Sequence, residues 1–380
     1  MAGTVTWDEL RDLAGFAANE GLAISLYLDL DPSLAPTAAE LETRLNSLLD
    51  EGGKQAGAFE GELSHDQRIA LREDFDRIRT WCDLEFERDG ARGLAIFCAG
   101  LDELWRPLPL TETVPDRIKL GEQLSLAPLA PLVGRGEGAL VVMVSREQGR
   151  IYRLQAGRLV HVADHFDEQL RRHDQGGWAQ ARMQRHVDEQ ALEHLRRVAG
   201  EVDRLVRAAG RPPLVVFAAD EIWAEFGELL SQETRGALAG VAHAEAHASS
   251  AELLEAALPV LERWREQREA EILERWRAGA GRNGRASAGW EETLAAASDS
   301  RVETLLFQEG AGRPVRRCPQ CGRLALDAER CPLDGAATTE SEDGLDMLVH
   351  MTLAHGGKSW AVRHRQDLSP VEGVGALLRF

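Results

Sequence analysis

A series of short apolar segments followed by one long amphipathic segment constrains the fold of this chain most strongly. The segments ALVVMVS (139–145), RIYRLQAG (150–157) and RLVHVADHF (158–166) predict strands, because they are short, apolar and bounded by turn residues. The stretch 183–210 has apolar residues every three or four positions, which predicts a helix, and PPLVVFAAD (212–220) predicts another buried strand. This alternation of strands and helices predicts an α/β fold with a mostly parallel sheet.

The same kind of pattern divides the 380-residue chain into three regions, as expected at roughly 100–200 residues per domain. We predict an N-terminal α/β domain over 1–133, a central domain over 134–278 and a small C-terminal α/β domain over 288–380. The Gly- and Ala-rich stretch AGAGRNGRASAG (278–289) is typical of a linker. A cysteine-containing insertion, 316–336, interrupts the C-terminal domain.

The charge of the chain argues against a broadly basic, non-specific nucleic-acid-binding surface. The net charge is −19, whereas such binding needs a basic surface. The stretch from Arg171 to His186 differs, because it has four arginines and one acid, Asp174. The sequence shows no membrane-spanning run and no secretory signal, so we expect a cytoplasmic protein with no membrane contact.

The cysteine segment contains two copies of one short template. The first copy is CPQCG and begins at Cys318; the second is CPLDG and begins at Cys331. Pro and Gly shape tight turns of this kind, and tetrahedral zinc takes four cysteine, histidine or carboxylate ligands. We therefore predict a structural zinc site formed by Cys318, Cys321, Cys331 and Asp334. The alternative is a ribbon that has lost its metal and is held by packing.

The stretch HDQGGWAQARMQRH (173–186) places two glycines and several basic side chains directly before the long helix. Glycine accepts positive φ and lets a backbone approach another molecule closely. One interpretation is an ordinary loop that connects a strand to a helix. No Walker A or Ser-His-Asp pattern occurs in the chain, so a metabolic enzyme has no specific support.

This stretch resembles the central-domain loop of the archaeal and eukaryotic peptide chain release factor superfamily, where Gly-Gly-Gln precedes an arginine-rich helix start. Here Gly176 and Gly177 are followed by Trp178, Ala179 and Gln180. The glutamine is displaced by two positions. The spacing from Gly177 to Gln180 fits Gly-x-x-Gln, which is similar to the eukaryotic peptidyl-tRNA hydrolase of ribosome quality control.

The whole chain resembles the bacterial branch of this superfamily. The resemblance implies a central ribonuclease-H-like mixed sheet and a C-terminal domain like ribosomal protein L7Ae, with a zinc ribbon inserted as in archaeal release factors. The N-terminal region has no Asn-Ile-Lys-Ser motif, so stop-codon reading is not expected. The implied partners are the ribosome, with its rRNA, tRNA and peptidyl-tRNA, and a translational GTPase is a further candidate. The resemblance also suggests a monomer.

The resemblance further implies roles for residues of the loop. Gln180 would position water at the peptidyl-tRNA ester, and Gly176 and Gly177 would let the tip enter a narrow site walled by RNA. Trp178 would either stack on a base or anchor the loop on its own domain. The arginines expected to contact phosphates are Arg171, Arg172, Arg182 and Arg185.

Two functions follow from the resemblance, and a third does not depend on it. The first expected function is that of a peptidyl-tRNA hydrolase that rescues stalled ribosomes or large subunits, with Gln180 as its central residue. Alternatively, it is a non-catalytic adaptor that resembles Pelota and occupies the A site of idle or stalled ribosomes. The third interpretation is an α/β scaffold with no ribosomal role.

Overall fold

The fold is seen in a computed structural model of the chain. It describes residues 5–380 except 35–36, 60, 62, 89, 134–137, 156, 167–179, 246 and 283, and the side chains of 58, 166, 180–187 and 281–282 are also outside the described part. The chain forms two compact units. One contains 1–135 together with 269–380, and the other contains 136–268.

The N-terminal segment is a sheet with helices packed on it. Its elements are α1 (Trp7–Ala14), β1 (Ala23–Asp29), α2 (Ala38–Ala58), α3 (His65–Leu84), β2 (Gly93–Ala99), β3 (Leu104–Leu110) and β4 (Arg117–Gly121). The strands are antiparallel in the order β3-β2-β1-β4. All three helices begin with a capping box, at Thr6, Thr37 and Ser64. In each box the hydroxyl and the side chain three residues later satisfy two backbone N–H groups at the helix start.

The central segment is a mixed sheet with helices on both faces. Its elements are β5 (Leu140–Val144), β6 (Gln148–Gln155), β7 (Arg158–Phe166), α4 (Gln180–Ala208), β8 (Leu214–Phe217), α5 (Asp220–Leu229), α6 (Gln232–Gly236), β9 (Leu238–Ala242) and α7 (Ser250–Arg282). The strand order is β7-β6-β5-β8-β9. β6 pairs antiparallel with β5 and β7, whereas β8 pairs parallel with β5 and β9. The α/β fold predicted from the sequence is therefore confirmed. The prediction of a mostly parallel sheet is wrong, because both pairings of β6 are antiparallel and the sheet is mixed.

Alternate residues of β5 contribute to two different hydrophobic clusters. Leu140 and Val142 pack with the apolar stripe of α4, whereas Val141 packs with the apolar residues of α7. This follows from the period of two along a strand. Gly149 in β6 lies directly under α4, since a Cβ at this position would be 2.5 Å from Cγ2 of Val198. The close approach fixes α4 against the sheet.

The C-terminal segment contains a second mixed sheet and a small three-stranded one. Its elements are β10 (Ala286–Ala288), α8 (Gly289–Ser298), β11 (Val302–Gln308), β12 (Val315–Arg317), β13 (Leu324–Ala325), β14 (Thr339–Ser341), α9 (Gly344–Ala354), β15 (Lys358–Val362) and β16 (Val374–Leu378). The strand orders are β10-β16-β11-β15 and β13-β12-β14. The small sheet surrounds the cysteine segment.

The N- and C-terminal segments share one hydrophobic core. Leu10 and Phe97 from the first segment belong to the same buried cluster as Trp290 and Leu348 from the second. The buried carboxylate of Asp346 accepts the backbone N–H groups of residues 126 and 127, each at 2.8 Å. These long-range contacts explain why 1–135 and 269–380 form a single compact unit.

The segment that the sequence indicates as a linker has regular structure at both ends. α7 continues to Arg282, and β10 begins at Ala286 and pairs with β16. The Trp276 indole N–H donates to the carbonyl of Ser287 at 2.8 Å. This contact ties the two sides of the segment together. The three domain boundaries predicted from the sequence stay a prediction.

Candidate functional site

The predicted catalytic loop lies between two elements of the central unit. β7 ends at Phe166 and α4 begins at Gln180, so the loop connects the edge strand of the sheet to α4. The predicted loop residues that lie outside the described part of the chain are Arg171, Arg172, Gly176, Gly177 and Trp178.

The helical side of the site begins at Gln180, the first residue of α4. Arg182 and Arg185 follow within the first two turns, and the side chains of all three residues lie outside the described part. The first turn of α4 contains no acidic residue. A helix N-terminus carries a partial positive charge from its unpaired N–H groups. The end of α4 that holds Gln180 is therefore favourable for a developing negative charge.

The cysteine segment brings its four predicted ligands together. Cys318, Cys321, Cys331 and Asp334 each offer one ligand atom, and these atoms lie within 4.8 Å of one another. Sγ of Cys321 is 3.5 Å from Sγ of Cys331, and Sγ of Cys318 is 3.3 Å from Oδ2 of Asp334. Two sulfurs on a tetrahedral zinc with bonds of about 2.3 Å lie about 3.8 Å apart. The four residues therefore fit a tetrahedral metal ion.

The two CPxxG copies have the same backbone geometry. Gly322 donates its N–H to the carbonyl of Cys318 at 2.9 Å, and Gly335 donates to the carbonyl of Cys331 at 2.9 Å. Both glycines have positive φ, 74° and 73°, which residues with a side chain rarely adopt. The repeated motif in the sequence thus corresponds to a repeated turn in the structure.

The ligand set has a buried half and an exposed half. Cys318 and Cys331 are 1% and 4% exposed, whereas Cys321 and Asp334 lie at the surface. The Ala336 N–H, 2.9 Å from Oδ1 of Asp334, holds the pKa of that carboxyl below its usual value. Four protein ligands leave no open position for a substrate, so a metal here would stabilise the fold.

A cavity that no sequence motif indicates lies beside this cluster. The cavity has a volume of about 250 Å³, and its wall includes Gln123, Arg317, Cys321 and His350. The first and last of these residues are more than two hundred positions apart in the chain. No local motif connects them, and only the shared core of the N- and C-terminal segments brings them together.

Within the described residues, no helix is both long and apolar enough to cross a membrane. The two cysteines outside the cluster, Cys82 and Cys98, form no disulfide. Cys98 is buried and donates its thiol to Oδ1 of Asp74 at 3.1 Å. Both cysteines belong to the N-terminal core or its edge and are separate from the cluster at Cys318.

Comparison with known proteins gives one match at the level of a family. Residues 125–262 match the model described as "Bacterial archaeo-eukaryotic release factor family 10". This segment contains the central sheet through β9, the loop before α4 and the first part of α7. No curated protein matches the chain.

Several solved structures are similar to the chain at low sequence identity. The archaeal translation termination factor aRF1 is 16% identical, with 99% of each chain covered and a TM-score of 0.26. Pelota of Archaeoglobus fulgidus is 14% identical, with 100% of this chain and 94% of that chain covered and a TM-score of 0.31. Dom34 of S. cerevisiae, a translation termination-like factor, is 9% identical, with 76% and 79% covered and a TM-score of 0.41.

Proposed function

We propose that this chain, whose central segment belongs to the bacterial branch of the archaeo-eukaryotic release factor superfamily, is a ribosome-associated peptidyl-tRNA hydrolase. It rescues stalled ribosomes or large subunits by cleaving the ester between peptide and tRNA. The observation that carries the proposal is the position of the Gly-x-x-Gln loop inside the matched segment, ending at the start of α4. Because the chain has no Asn-Ile-Lys-Ser motif, it does not read stop codons.

The proposed chemistry needs a positioned water and donors for the oxyanion. Gln180 carries a neutral amide, which is a poor general base, so it orients the attacking water rather than removing its proton. Negative charge develops on the carbonyl oxygen as water attacks, and N–H groups aimed at that position lower the barrier. The start of α4, with no acid in its first turn, supplies such groups.

The rest of the loop serves access and binding in this proposal. Gly176 and Gly177 let the backbone pass close to RNA. The phosphate contacts come from Arg171 and Arg172 on one side of the loop and from Arg182 and Arg185 on α4. Trp178 stacks on a base. The partner is therefore the ribosome with its peptidyl-tRNA, which places the protein in the cytoplasm.

We also propose that the metal held by Cys318, Cys321, Cys331 and Asp334 is zinc. Three sulfurs and one carboxylate oxygen within 4.8 Å of one another suit zinc and do not suit calcium or magnesium, which prefer oxygen ligands. The zinc ribbon so formed has a structural role. Metal analysis of protein purified without chelator tests this: about one zinc per chain is expected, and a value near zero would leave a ribbon held by packing.

The displaced glutamine favours one alternative function. The sequence Gly-Gly-Trp-Ala-Gln puts two residues between Gly177 and Gln180, which changes the reach of the amide relative to Gly-Gly-Gln. In the alternative, the chain occupies the A site as a non-catalytic rescue or hibernation adaptor. Ribosome binding would then survive Gln180→Ala but weaken when Arg182 and Arg185 are both replaced by Glu.

Peptide release from purified bacterial ribosomes separates the two functions. Intact ribosomes and large subunits carrying peptidyl-tRNA are incubated with the parent protein, with Gln180→Ala and with Gln155→Ala, an exposed glutamine at the end of β6. The hydrolase predicts a release rate that falls about a hundredfold or more in Gln180→Ala and is unchanged in Gln155→Ala. Ribosome binding without release by the parent protein would support the adaptor.

A further inference from the structure

We propose that the cavity beside the cysteine cluster binds an unpaired nucleotide of RNA. The assignment of the ligand to RNA rests on the proposed ribosomal function, whereas the existence of a ligand site is argued from the geometry of the cavity. Its volume is about 250 Å³, which is the scale of one nucleotide rather than of a helix or a protein segment. It adjoins a larger cleft of about 730 Å³ whose wall also includes Gln123, Arg317, Met347 and His350. Lys119 is a further cation of this cleft, and its acidic residues are Glu122, Glu340 and Asp346.

The pocket is positively lined in an otherwise acidic chain. Arg317 and Arg323 contribute to its wall, and among the described residues that form the wall there is no Asp or Glu. The whole chain has a net charge of −19. A concave site lined by one sign of charge attracts ligands of the opposite sign. Phosphate is the group on a nucleotide that such a lining recognises.

Two polar side chains of the wall are open for a ligand. Within the part of the chain that the structure describes, neither the guanidinium of Arg317 nor the amide of Gln123 has a hydrogen-bond partner. The neighbouring arginines differ, because Arg316 pairs with Glu340 at 3.0 Å and Arg323 with Asp299 at 2.7 Å. Arg317 therefore supplies the uncommitted cation, and Gln123 offers both a donor and an acceptor for a base edge.

His350 adds an unsatisfied buried group to the same wall. Its side chain is 6% exposed, and its Nε2 has no hydrogen-bond partner among the described residues. A buried polar atom without a partner costs about 1–3 kcal/mol, so such atoms are rare unless a ligand or water satisfies them. Burial, opposed by the charge of Asp346, lowers the pKa of His350 to about 4. The imidazole is thus neutral near pH 7 and has one donor and one acceptor nitrogen.

The apolar part of the pocket comes from one face of α9. Met347, His350, Met351 and Ala354 follow the helical spacing of three and four residues, so they lie on the same side of the helix. Both methionines are partly buried and line the cavity. Thioether side chains are flexible and polarisable, and they adapt to flat apolar ligands. Together with the planar Arg317 guanidinium they offer surfaces on which a base can stack.

The positive lining is not needed to compensate the end of α9. The last carbonyls of the helix already accept backbone N–H groups, from Gly356 to Leu353 at 2.8 Å and from Gly357 to Thr352 at 2.8 Å. Arg379 donates to the carbonyl of His355 at 2.7 Å. The cysteine cluster is the other negative neighbour, because zinc with three thiolates and a carboxylate has a formal charge of about −2. Zinc content is therefore a control in the test.

Methionine methyl NMR tests the proposal at the pocket itself. The chain has five methionines, of which Met347 and Met351 line the cavity and Met143 is buried in the central sheet. Protein with isotope-labelled methionine methyl groups is titrated with an RNA hexamer and, separately, with nucleoside monophosphates. We expect the Met347 and Met351 signals to shift with RNA, and the Met143 signal to stay. No ribosome is present, so this result does not depend on peptide release.

The matched variants are Arg317→Gln and Arg313→Gln, the latter an arginine held by Glu372 at 2.7 Å away from the pocket. Arg317→Gln should lower the RNA affinity, measured from these signal shifts, about tenfold or more, at equal zinc content and equal Tm. Arg313→Gln should leave the RNA affinity unchanged.

Unchanged Met347 and Met351 signals on addition of RNA, or equal RNA affinity of the two variants, would overturn the proposed pocket. Equal affinity for monophosphates and the hexamer would overturn the RNA assignment and give a pocket for free nucleotides. Ribosome binding and peptide release that survive Arg317→Gln without any RNA response at Met347 would leave the proposed function standing and this inference wrong.

Discussion

The cysteine cluster and the start of α4 are both recognisable from a few residues of sequence, but the structure defines them by different means. At the cluster, two local turns with Gly322 and Gly335 at positive φ bring the ligand atoms within 4.8 Å of one another. At α4, the described structure defines a helix that begins at Gln180 and packs on a sheet through residues far along the chain. The candidate metal site is thus encoded locally, whereas the position of Gln180 depends on how the whole central unit packs.

Removing a buried ligand of the cluster should have the largest effect. Cys331→Ser replaces a thiolate that is 4% exposed and weakens the metal site, whose binding free energy is also folding free energy. We expect zinc to fall from about one per chain to a small fraction of that, with a clear decrease in Tm. Metal analysis and thermal unfolding measure both.

The control for this change is Cys82→Ser, a partly buried thiol outside the cluster. It should retain zinc. If Cys331→Ser kept its zinc and its Tm, the cluster would not be a metal site, and the local encoding described above would not apply to it.

Disturbing the support of α4 should have a smaller but definite effect. In Gly149→Ala the new Cβ would lie 2.5 Å from Val198 Cγ2, and overpacking of this kind costs about 1–3 kcal/mol. Gly200→Ala is the matched control, because this glycine lies within α4 with nothing within 4 Å of the added Cβ. It should stabilise the protein by up to about 1 kcal/mol.

Chemical denaturation and peptide release of the two variants connect packing to activity. Gly149→Ala should lose stability and slow release, because it shifts the helix that starts at Gln180. If Gly149→Ala lost stability without any change in peptide release, the proposed site at Gln180 would not depend on how α4 packs on the sheet.

The smallest expected effect concerns the pH dependence of stability through His350. Its pKa is about 4 in the folded protein, mainly because of burial, against about 6.5 in an unfolded chain. Between about pH 6.5 and pH 4 the unfolded state therefore binds more protons than the folded state. The contribution of the neutral His350 to the free energy of unfolding is complete above about pH 6.5 and is lost as the pH falls towards 4. At about pH 5.5 the loss is roughly 1.4 kcal/mol.

His350→Gln should remove this part of the pH dependence, whereas the exposed His355→Gln should keep it. Urea unfolding gives the free energy of unfolding of each variant at about pH 7 and pH 5.5. The change between the two pH values is then compared between the two variants. Equal pH dependence in His350→Gln and the parent protein would mean that the imidazole is charged in the folded state, which is inconsistent with its buried position.

Local chemistry explains which features could be predicted from the sequence. The helical period of α4 and the CPxxG repeat each depend on residues a few positions apart, and the structure contains a helix and a pair of tight turns there. The α/β class follows from the same periodicities, whereas the antiparallel pairings of β6 do not.

Long-range packing explains what could not be predicted. The shared core joins Leu10 to Leu348, and the pocket combines Gln123 with Arg317 and His350. No spacing in the sequence signals either arrangement, because the segments approach only in the folded chain. The stretch 278–289 shows the same limit of local sequence: its small residues are typical of a linker, and they also fit the end of α7 and the short strand β10.

The central claim is that water, placed by Gln180, cleaves the peptidyl-tRNA ester. The most direct measurement is a single-turnover release reaction on bacterial large subunits in water enriched in heavy oxygen, with mass analysis of the peptide and of the tRNA end. The account predicts a peptide whose new carboxylate carries the heavy oxygen, a tRNA with an intact 3′ end, and loss of both products in Gln180→Ala. A released peptide that still carries nucleotides, or release that is as fast in Gln180→Ala as in the parent protein, would contradict it.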